Sequence, residues 1–214
     1  MFERRPSPFV LLLALIVALP GAVLILTGYV DFAAAFGGFI PRRVGAGGGL
    51  PADVPLVLTP LTATLIHDGW LHLAFNLLSL LIVATPTERA VGKRGLAVLW
   101  LVGAYASVAA EWAIDPSSPV AMVGASGAIS AIIGAYALLF GQGKAKAIGP
   151  VPAHVVHALW LGASWTVLNL LVGWTSAMGG MPIAGAAHVG GFLAGMLLLR
   201  PLLVWRWGRV QRAG

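Results

Sequence analysis

Residues 147–199 form one continuous stretch that contains no Asp, Glu, Lys or Arg. About 20 apolar residues cross the hydrocarbon core of a bilayer, so this stretch is long enough for two membrane spans. Of the 214 residues in the chain, 59% are hydrophobic and only 9% are charged, and the mean hydropathy is +0.92. A water-soluble domain of this size could not cover so much apolar surface. The sequence therefore predicts an all-α polytopic membrane protein.

Charge-free runs elsewhere predict further spans, and we expect six transmembrane helices in a single domain over residues 1–214. The expected spans are residues 9–30, 69–87, 95–114, 124–140, 153–174 and 183–199. Gly179, Gly180 and Pro182 supply the turn between the last two. Residues 31–68 are too long for a turn and predict an external loop, partly ordered at the interface, with a mobile glycine tract at 45–49.

The first span has an alternative interpretation as a secretory signal peptide. Arg4 and Arg5 precede it, and the three alanines at 33–35 resemble a cleavage site. Its uncharged run exceeds the roughly 7 to 15 residues of a signal core, which favours a retained membrane span.

The basic residues predict the orientation of the spans. Of the 13 Lys and Arg residues, all except Arg42 and Arg43 fall in segments that six spans would place on one side of the membrane. The positive-inside rule makes that side cytoplasmic, so both termini are expected inside and the loop 31–68 outside. These basic residues are scattered among apolar spans and form no stripe, so no nucleic-acid partner is expected.

Four polar residues should converge at one depth. Spans two, four and six run in the same direction, which places their N-terminal ends in the outer half of the membrane. His72 and Asn76 fall in the first turns of span two, Ser126 at the head of span four, and His188 about two turns into span six. At about 1.5 Å per residue, these offsets put all four within roughly 10 Å in depth. Polar side chains inside spans are costly to bury and mark functional sites.

These residues stand in four motifs: His-x4-His-x3-Asn at His67, His72 and Asn76, Glu88-Arg89, Gly-x-Ser-Gly at 124–127, and Ala-His-x-x-Gly at 187–191. In this order, the four motifs resemble those of the rhomboid family of intramembrane serine proteases. The resemblance covers residues 61–199. It implies a six-helix bundle and a protease with a Ser-His dyad, which cuts transmembrane or juxtamembrane segments of other proteins in the lipid bilayer.

On this resemblance, Ser126 is the catalytic nucleophile and His188 is the base. A serine hydroxyl attacks only when a neutral imidazole accepts its proton, and the same imidazolium can then protonate the leaving amine. Spans five and six contain no carboxylate, which favours a dyad over a triad. The backbone amide of Ser126, the side-chain amide of Asn76 and His72 are expected to form the oxyanion hole.

Five more residues are expected to support this site. His67 should order the preceding loop, Gly124 and Gly127 should let backbone approach the substrate carbonyl, and Gly191 and Gly195 should pack span six against span four.

We assign neither an acidic residue nor a metal ion to the predicted site. Glu111, near the outer end of span three, is either solvated or lines its helix. No metal site is expected, because His67 and His72 lack the i, i+4 spacing of a zinc motif and the chain has no cysteine. No cofactor is implied.

The sequence departs from the family pattern at two places. Many bacterial members have Trp-Arg in the first loop, and residues 57–60 contain neither. Many members also have an aromatic residue that stacks on the catalytic histidine, at the position where this chain has Ser130. We therefore expect other contacts to orient His188.

Two other functions remain open at this stage. A rhomboid-like pseudoprotease would bind membrane segments without cutting them, although the intact Ser126 and His188 favour an enzyme. A small channel or transporter would show charged residues inside its spans or an inverted repeat, and neither is evident. The lack of a transit peptide favours a bacterial plasma membrane, with the site opening to the outer side.

Overall fold

The computed structural model describes residues 5–45, 54–141, 145–178 and 184–208, and within these ranges it is helical without a named strand. Its α-helices are α1 (Pro8–Thr27), α2 (Val30–Gly37), α3 (Thr59–Thr62), α4 (Trp70–Ile114), α5 (Ser126–Phe140), α6 (Ala153–Met178) and α7 (Gly185–Trp207). Short 3-10 turns occupy Pro41–Arg43, Leu56–Leu58 and Ala63–Leu65. The turn predicted at Gly179, Gly180 and Pro182 and most of the glycine tract 45–49 lie outside the described residues.

Four helices in the described part of the chain are long and apolar enough to cross a membrane. They are Pro8–Thr27, Trp70–Ile114, Ala153–Leu171 and Gly185–Trp207. The sequence predicts six spans, and the two counts differ for two reasons. The predicted second and third spans are joined in α4, and α5 has 15 residues, fewer than the roughly 20 that a span needs.

The long helix α4 is divided by a kink at Gly92. This residue has φ 78° and ψ 165°, a backbone conformation that glycine adopts readily and other residues avoid. The two parts, residues 70–91 and 93–114, are each about 33 Å long at 1.5 Å per residue. Each part therefore matches the hydrocarbon thickness of about 30 Å, which the whole helix would exceed about twofold.

The centre of the bundle is α5, which packs between α4 and α7. Small residues bring the three backbones together, since van der Waals packing is what associates helices in lipid. A Cβ added at Gly103 of α4 would lie 2.6 Å from the Ala131 side chain. A Cβ added at Gly195 of α7 would overlap the Ala131 carbonyl oxygen. The helices thus touch through backbone at these points.

The outer surfaces of the bundle are apolar. Leu26 of α1, Leu71 of α4 and Leu197 of α7 are each at least 75% exposed. Such a surface suits lipid and would promote aggregation in water.

Hydrogen bonds join α1, α4 and α7 at one end of the bundle. The Ser7 hydroxyl accepts the Val10 N–H at 3.1 Å, which caps α1, and donates to the Glu88 carboxylate. The Arg206 guanidinium donates to the Glu88 carbonyl at 2.9 Å, and the Trp207 indole donates to the Ala90 carbonyl at 3.0 Å. The start of α1, the kink of α4 and the end of α7 therefore lie together.

Substitution of Gly195 tests the close contact between α5 and α7. We expect Gly195→Ala to destabilise the protein by about 1 to 3 kcal/mol, because the new methyl group must push α7 away from the backbone of α5. This loss should outweigh the helix-propensity gain of about 0.5 to 1 kcal/mol. Thermal unfolding in detergent measures the effect.

Gly162→Ala in α6 is the matched control. A Cβ at Gly162 would meet Leu193 at 3.5 Å and Met196 at 3.9 Å, which are ordinary contacts. The melting temperature of this variant should stay the same or rise. If Gly195→Ala behaved like the control, the packing contact would be wrong.

Candidate active site

Ser126 and His188 are 62 residues apart in the chain, yet their side chains are in contact. The Ser126 Oγ lies 2.8 Å from the His188 Nε2, within hydrogen-bond distance. Ser126 is the first residue of α5. His188 lies in the first turn of α7, not two turns into it as expected, because the helix begins at Gly185. Both side chains are half-buried.

The backbone before Ser126 is held by residues that precede α4. Gly124 has φ 105°, which strains any residue with a side chain, and its N–H donates to the Ala63 carbonyl at 2.8 Å. The Ala125 N–H donates to the Nε2 of His67, which is completely buried, at 3.4 Å. Burial, with a smaller contribution from His72, lowers the pKa of His67 to about 4. The ring is therefore neutral near pH 7 and can accept this hydrogen bond.

His72 and Asn76 lie in the first two turns of α4. The His72 ring packs against the loop before Ser126, since a Cβ at Gly124 would lie 2.6 Å from its Nε2. The Asn76 Nδ2 donates to the His72 carbonyl at 2.9 Å, and its Oδ1 is buried without a hydrogen-bond partner among the described residues. One amide proton of Asn76 is thus used within its own helix.

The glycines near the site mark points where helices touch. A Cβ at Gly127 would lie 2.5 Å from the Ser107 Cβ, so this glycine allows α5 to pack closely against α4. A Cβ at Gly191 would overlap the Gly127 carbonyl and lie 3.2 Å from the Ser130 Cβ. Ser130 is buried beside α7.

The loop between α1 and α4 is ordered over its described residues without a Trp-Arg pair. Phe39 and Met122 exchange backbone hydrogen bonds of 3.2 and 2.8 Å, which ties the loop to the segment before Ser126. The Tyr105 hydroxyl donates to the Val57 carbonyl at 2.7 Å.

Sequence reasoning missed two residues of α6 that contact His188. The Asn169 Oδ1 lies 2.9 Å from the His188 Nδ1, and the Trp165 indole donates to the His188 carbonyl at 3.3 Å. Trp165 also stacks on Phe192, with ring centroids 4.7 Å apart. Asn169 was overlooked because only carboxylates were considered as partners for His188. The sequence feature that could have indicated it is a polar residue within a charge-free span, which often marks a functional site.

Glu111 is half-buried, and its carboxylate accepts the Ala187 N–H at 3.1 Å. This contact favours the interpretation as a helix-lining residue over a solvated one. A carboxylate at the N-terminus of α7 also complements the positive end of the helix dipole.

A cavity of about 30 Å³ lies beside Ser126 and His188 and is also lined by Thr64, Ser107 and Gly124. A cavity of this volume can hold a water molecule when polar groups line it. The arrangement therefore combines a hydroxyl, an imidazole in contact with it, and space for a water.

The fold and the site together define a helical membrane protein with a serine and a histidine paired between its helices. The sequence model of the Rhomboid domain matches residues 57–205. The chain belongs to the rhomboid family and is an integral membrane protein, which confirms the resemblance seen in the motifs.

Several curated proteins are similar to this chain. The rhomboid protease GlpG of Pectobacterium atrosepticum is 31% identical over 134 residues, which is 63% of this chain and 44% of that protein. GlpG of Serratia proteamaculans is 35% identical over 136 residues, which is 62% of this chain and 44% of that protein. The rhomboid protease GluP of Bacillus subtilis is 27% identical over 135 residues, which is 63% of this chain and 24% of that protein. The chain thus spans less than half the length of these relatives.

Proposed function

We propose that this chain is an intramembrane serine endopeptidase in which Ser126 is the nucleophile and His188 is the general base. The observation that carries the proposal is the 2.8 Å contact between Ser126 Oγ and His188 Nε2. A base must lie within about 2.6 to 3.2 Å of the proton it takes. Transmembrane or juxtamembrane segments of other membrane proteins are the proposed substrates. A pseudoprotease would have no need of this contact.

In the proposed reaction, the Ser126 Oγ attacks the scissile carbonyl while the His188 Nε2 takes the hydroxyl proton. The imidazolium then gives this proton to the leaving amine. Water, for which the adjacent cavity has room, hydrolyses the acyl-enzyme with His188 again acting as base. In this second half, the His188 Nε2 takes a proton from the water and passes it to the Ser126 Oγ as the acid product leaves, which restores the free hydroxyl and the neutral imidazole.

The developing oxyanion would be stabilised by groups around the start of α5. The first backbone N–H groups of a helix have no intrahelical acceptor, and Ser126 is the first residue of α5. We assign the second amide proton of Asn76 and the His72 ring as further donors, with His72 seated against Gly124. A donor aimed at developing charge acts mainly in the transition state.

We further propose that residues 1–214 form one domain with six spans, in which the two parts of α4 are separate spans and α5 is a short central one. α5 is about 22 Å long at 1.5 Å per residue, so its first residue would lie below the outer surface when its last lies at the inner interface. Both termini would be cytoplasmic and the site would open to the outer side of a bacterial plasma membrane.

Removal of either member of the pair should abolish cleavage. We expect Ser126→Ala and His188→Ala to leave a transmembrane reporter uncut in proteoliposomes, because the hydroxyl cannot attack without its base. Labelling by a serine-directed fluorophosphonate should disappear in both variants.

Ser130→Ala and His154→Ala are the matched controls. Ser130 is buried one turn after the nucleophile, and His154 is exposed at the start of α6. Both should cleave at near wild-type rates. Substantial cleavage by Ser126→Ala, with the protein folded and monodisperse, would exclude the assignment.

Asn76→Ala should slow turnover more than it weakens binding. Its amide would donate to charge that appears only after attack, so we expect kcat to fall about 10-fold to 10³-fold with little change in KM. A double variant with His72→Ala should lose less than the product of the single losses. Steady-state kinetics on a purified reporter measure both. An unchanged kcat would restrict oxyanion stabilisation to backbone amides near Ser126.

The proposed orientation is tested by cysteine labelling, since the chain has no cysteine of its own. Gly45→Cys lies in the predicted outer loop, and Ala147→Cys lies in a predicted inner segment; both positions are exposed. An impermeant maleimide on intact cells should label position 45, and position 147 only after lysis. The reverse pattern would place the site on the cytoplasmic side.

A further inference from the structure

We propose that Asn169 is a positioning residue that holds the His188 imidazole in the one neutral tautomer able to act as a base toward Ser126. The inference rests on the proposed function for its catalytic consequence, whereas the tautomer is argued from hydrogen bonds alone. Asn169 is 7% exposed and lies on α6, whereas the two residues of the pair lie on α5 and α7.

The direction of the Asn169 amide follows from its two hydrogen bonds. Its Nδ2 donates to the Trp165 carbonyl at 3.0 Å, and a carbonyl can only accept. The Oδ1 must therefore face the His188 Nδ1, which lies 2.9 Å away. If the amide were reversed, its oxygen would face the Trp165 carbonyl oxygen, and two acceptors would be in contact.

The tautomer of His188 follows from the direction of this amide. Because the Asn169 Oδ1 is an acceptor, the proton of the neutral imidazole must lie on Nδ1. The Nε2 then carries the lone pair, and it is this nitrogen that lies 2.8 Å from the Ser126 Oγ. The opposite tautomer would present an N–H to the hydroxyl and could not accept its proton.

An amide suits this position in a membrane protein. In serine proteases with a triad, a carboxylate holds the imidazole in the correct tautomer. A carboxylate within a span would bury a charge, whereas the asparagine oxygen accepts the same hydrogen bond without one. A carboxylate has two equivalent acceptor oxygens, but an amide must be oriented so that its oxygen faces the histidine. The hydrogen bond to the Trp165 carbonyl fixes that orientation.

α6 also holds the backbone of His188. The Trp165 indole donates to the His188 carbonyl at 3.3 Å and stacks on Phe192, one turn further along α7. One turn of α6 thus contacts both the ring and the main chain of His188. Many rhomboid proteins have an aromatic residue at the position of Ser130 that stacks on the histidine. In this chain, the contacts from α6 orient His188 instead.

Substitution of Asn169 tests the proposal through kinetics. Asn169→Leu keeps the branched shape of the side chain and removes the acceptor, so kcat should fall about 10-fold to 10²-fold while KM stays within about twofold, since Asn169 does not touch the substrate. Asn169→Asp keeps an acceptor oxygen and should recover most of kcat. Asn169→Ala removes the oxygen without adding apolar bulk and should lose activity like Asn169→Leu. Leu170→Ala, at an exposed neighbour on α6, should be unaffected.

Nitrogen-15 NMR of histidine-labelled protein tests the tautomer without relying on activity. The His188 signals, assigned by their loss in His188→Gln, should show a protonated Nδ1 and an unprotonated Nε2 in the wild type. In Asn169→Leu and Asn169→Ala the Nε2-protonated form should appear, and Asn169→Asp should restore the Nδ1 proton. This readout remains valid if the chain proves inactive.

Three results would overturn the proposal. They are a wild-type His188 protonated on Nε2, unchanged His188 signals in folded Asn169→Ala, or wild-type kcat in Asn169→Leu and Asn169→Ala. If Ser126 is not labelled by a fluorophosphonate and no reporter is cut, the proposed function fails, while the tautomer result still decides the role of Asn169.

Discussion

The contact between α5 and α7 sets the distance between the helix that carries Ser126 and the helix that carries His188. At Gly191 and Gly195 the backbone of α7 rests on carbonyl oxygens of α5, with no room for a methyl group. Lipid provides no hydrophobic force between helices, so such van der Waals contacts are what hold them together. The hydrogen bond between Ser126 and His188 is 2.8 Å long and would be lost beyond about 3.5 Å. It therefore depends on glycine at positions 191 and 195, where any side chain would push the two helices apart.

Several polar groups around Ser126 and His188 are hydrogen-bonded to uncharged groups. The neutral His67 accepts the Ala125 N–H, and Asn169 links His188 to the Trp165 carbonyl. Burying an ionised group in a membrane costs several kcal/mol, and these amide and imidazole contacts avoid that penalty. The carboxylate of Glu111 is only half-buried and lies at the N-terminus of α7, where the helix dipole favours it.

Sequence patterns predicted a helical membrane protein and predicted that Ser126 and His188 lie at one depth in the membrane. Both predictions depend on features that are local in the chain. Charge-free runs locate apolar helices, and helix direction with the rise per residue then places side chains in depth. The same reasoning could not find Asn169, because the rotation of α6 about its own axis decides which face meets α7. It predicted the break within α4 as a connection over residues 88–94, where four charged residues interrupt the apolar run, whereas the structure makes this break as a kink at the single residue Gly92.

The position of α6 has a consequence for the proposed chemistry. α5 and α7 are joined through backbone contacts that leave little freedom, whereas α6 meets α7 through side chains such as Trp165 and Asn169. Side-chain contacts can be lost and regained without unfolding the core. In the proposed protease, the distance between Ser126 and His188 would therefore be fixed by the rigid pair of helices, and the protonation of the base would be set by the third. The distance between the nucleophile and the base and the tautomer of the base therefore depend on contacts between different pairs of helices.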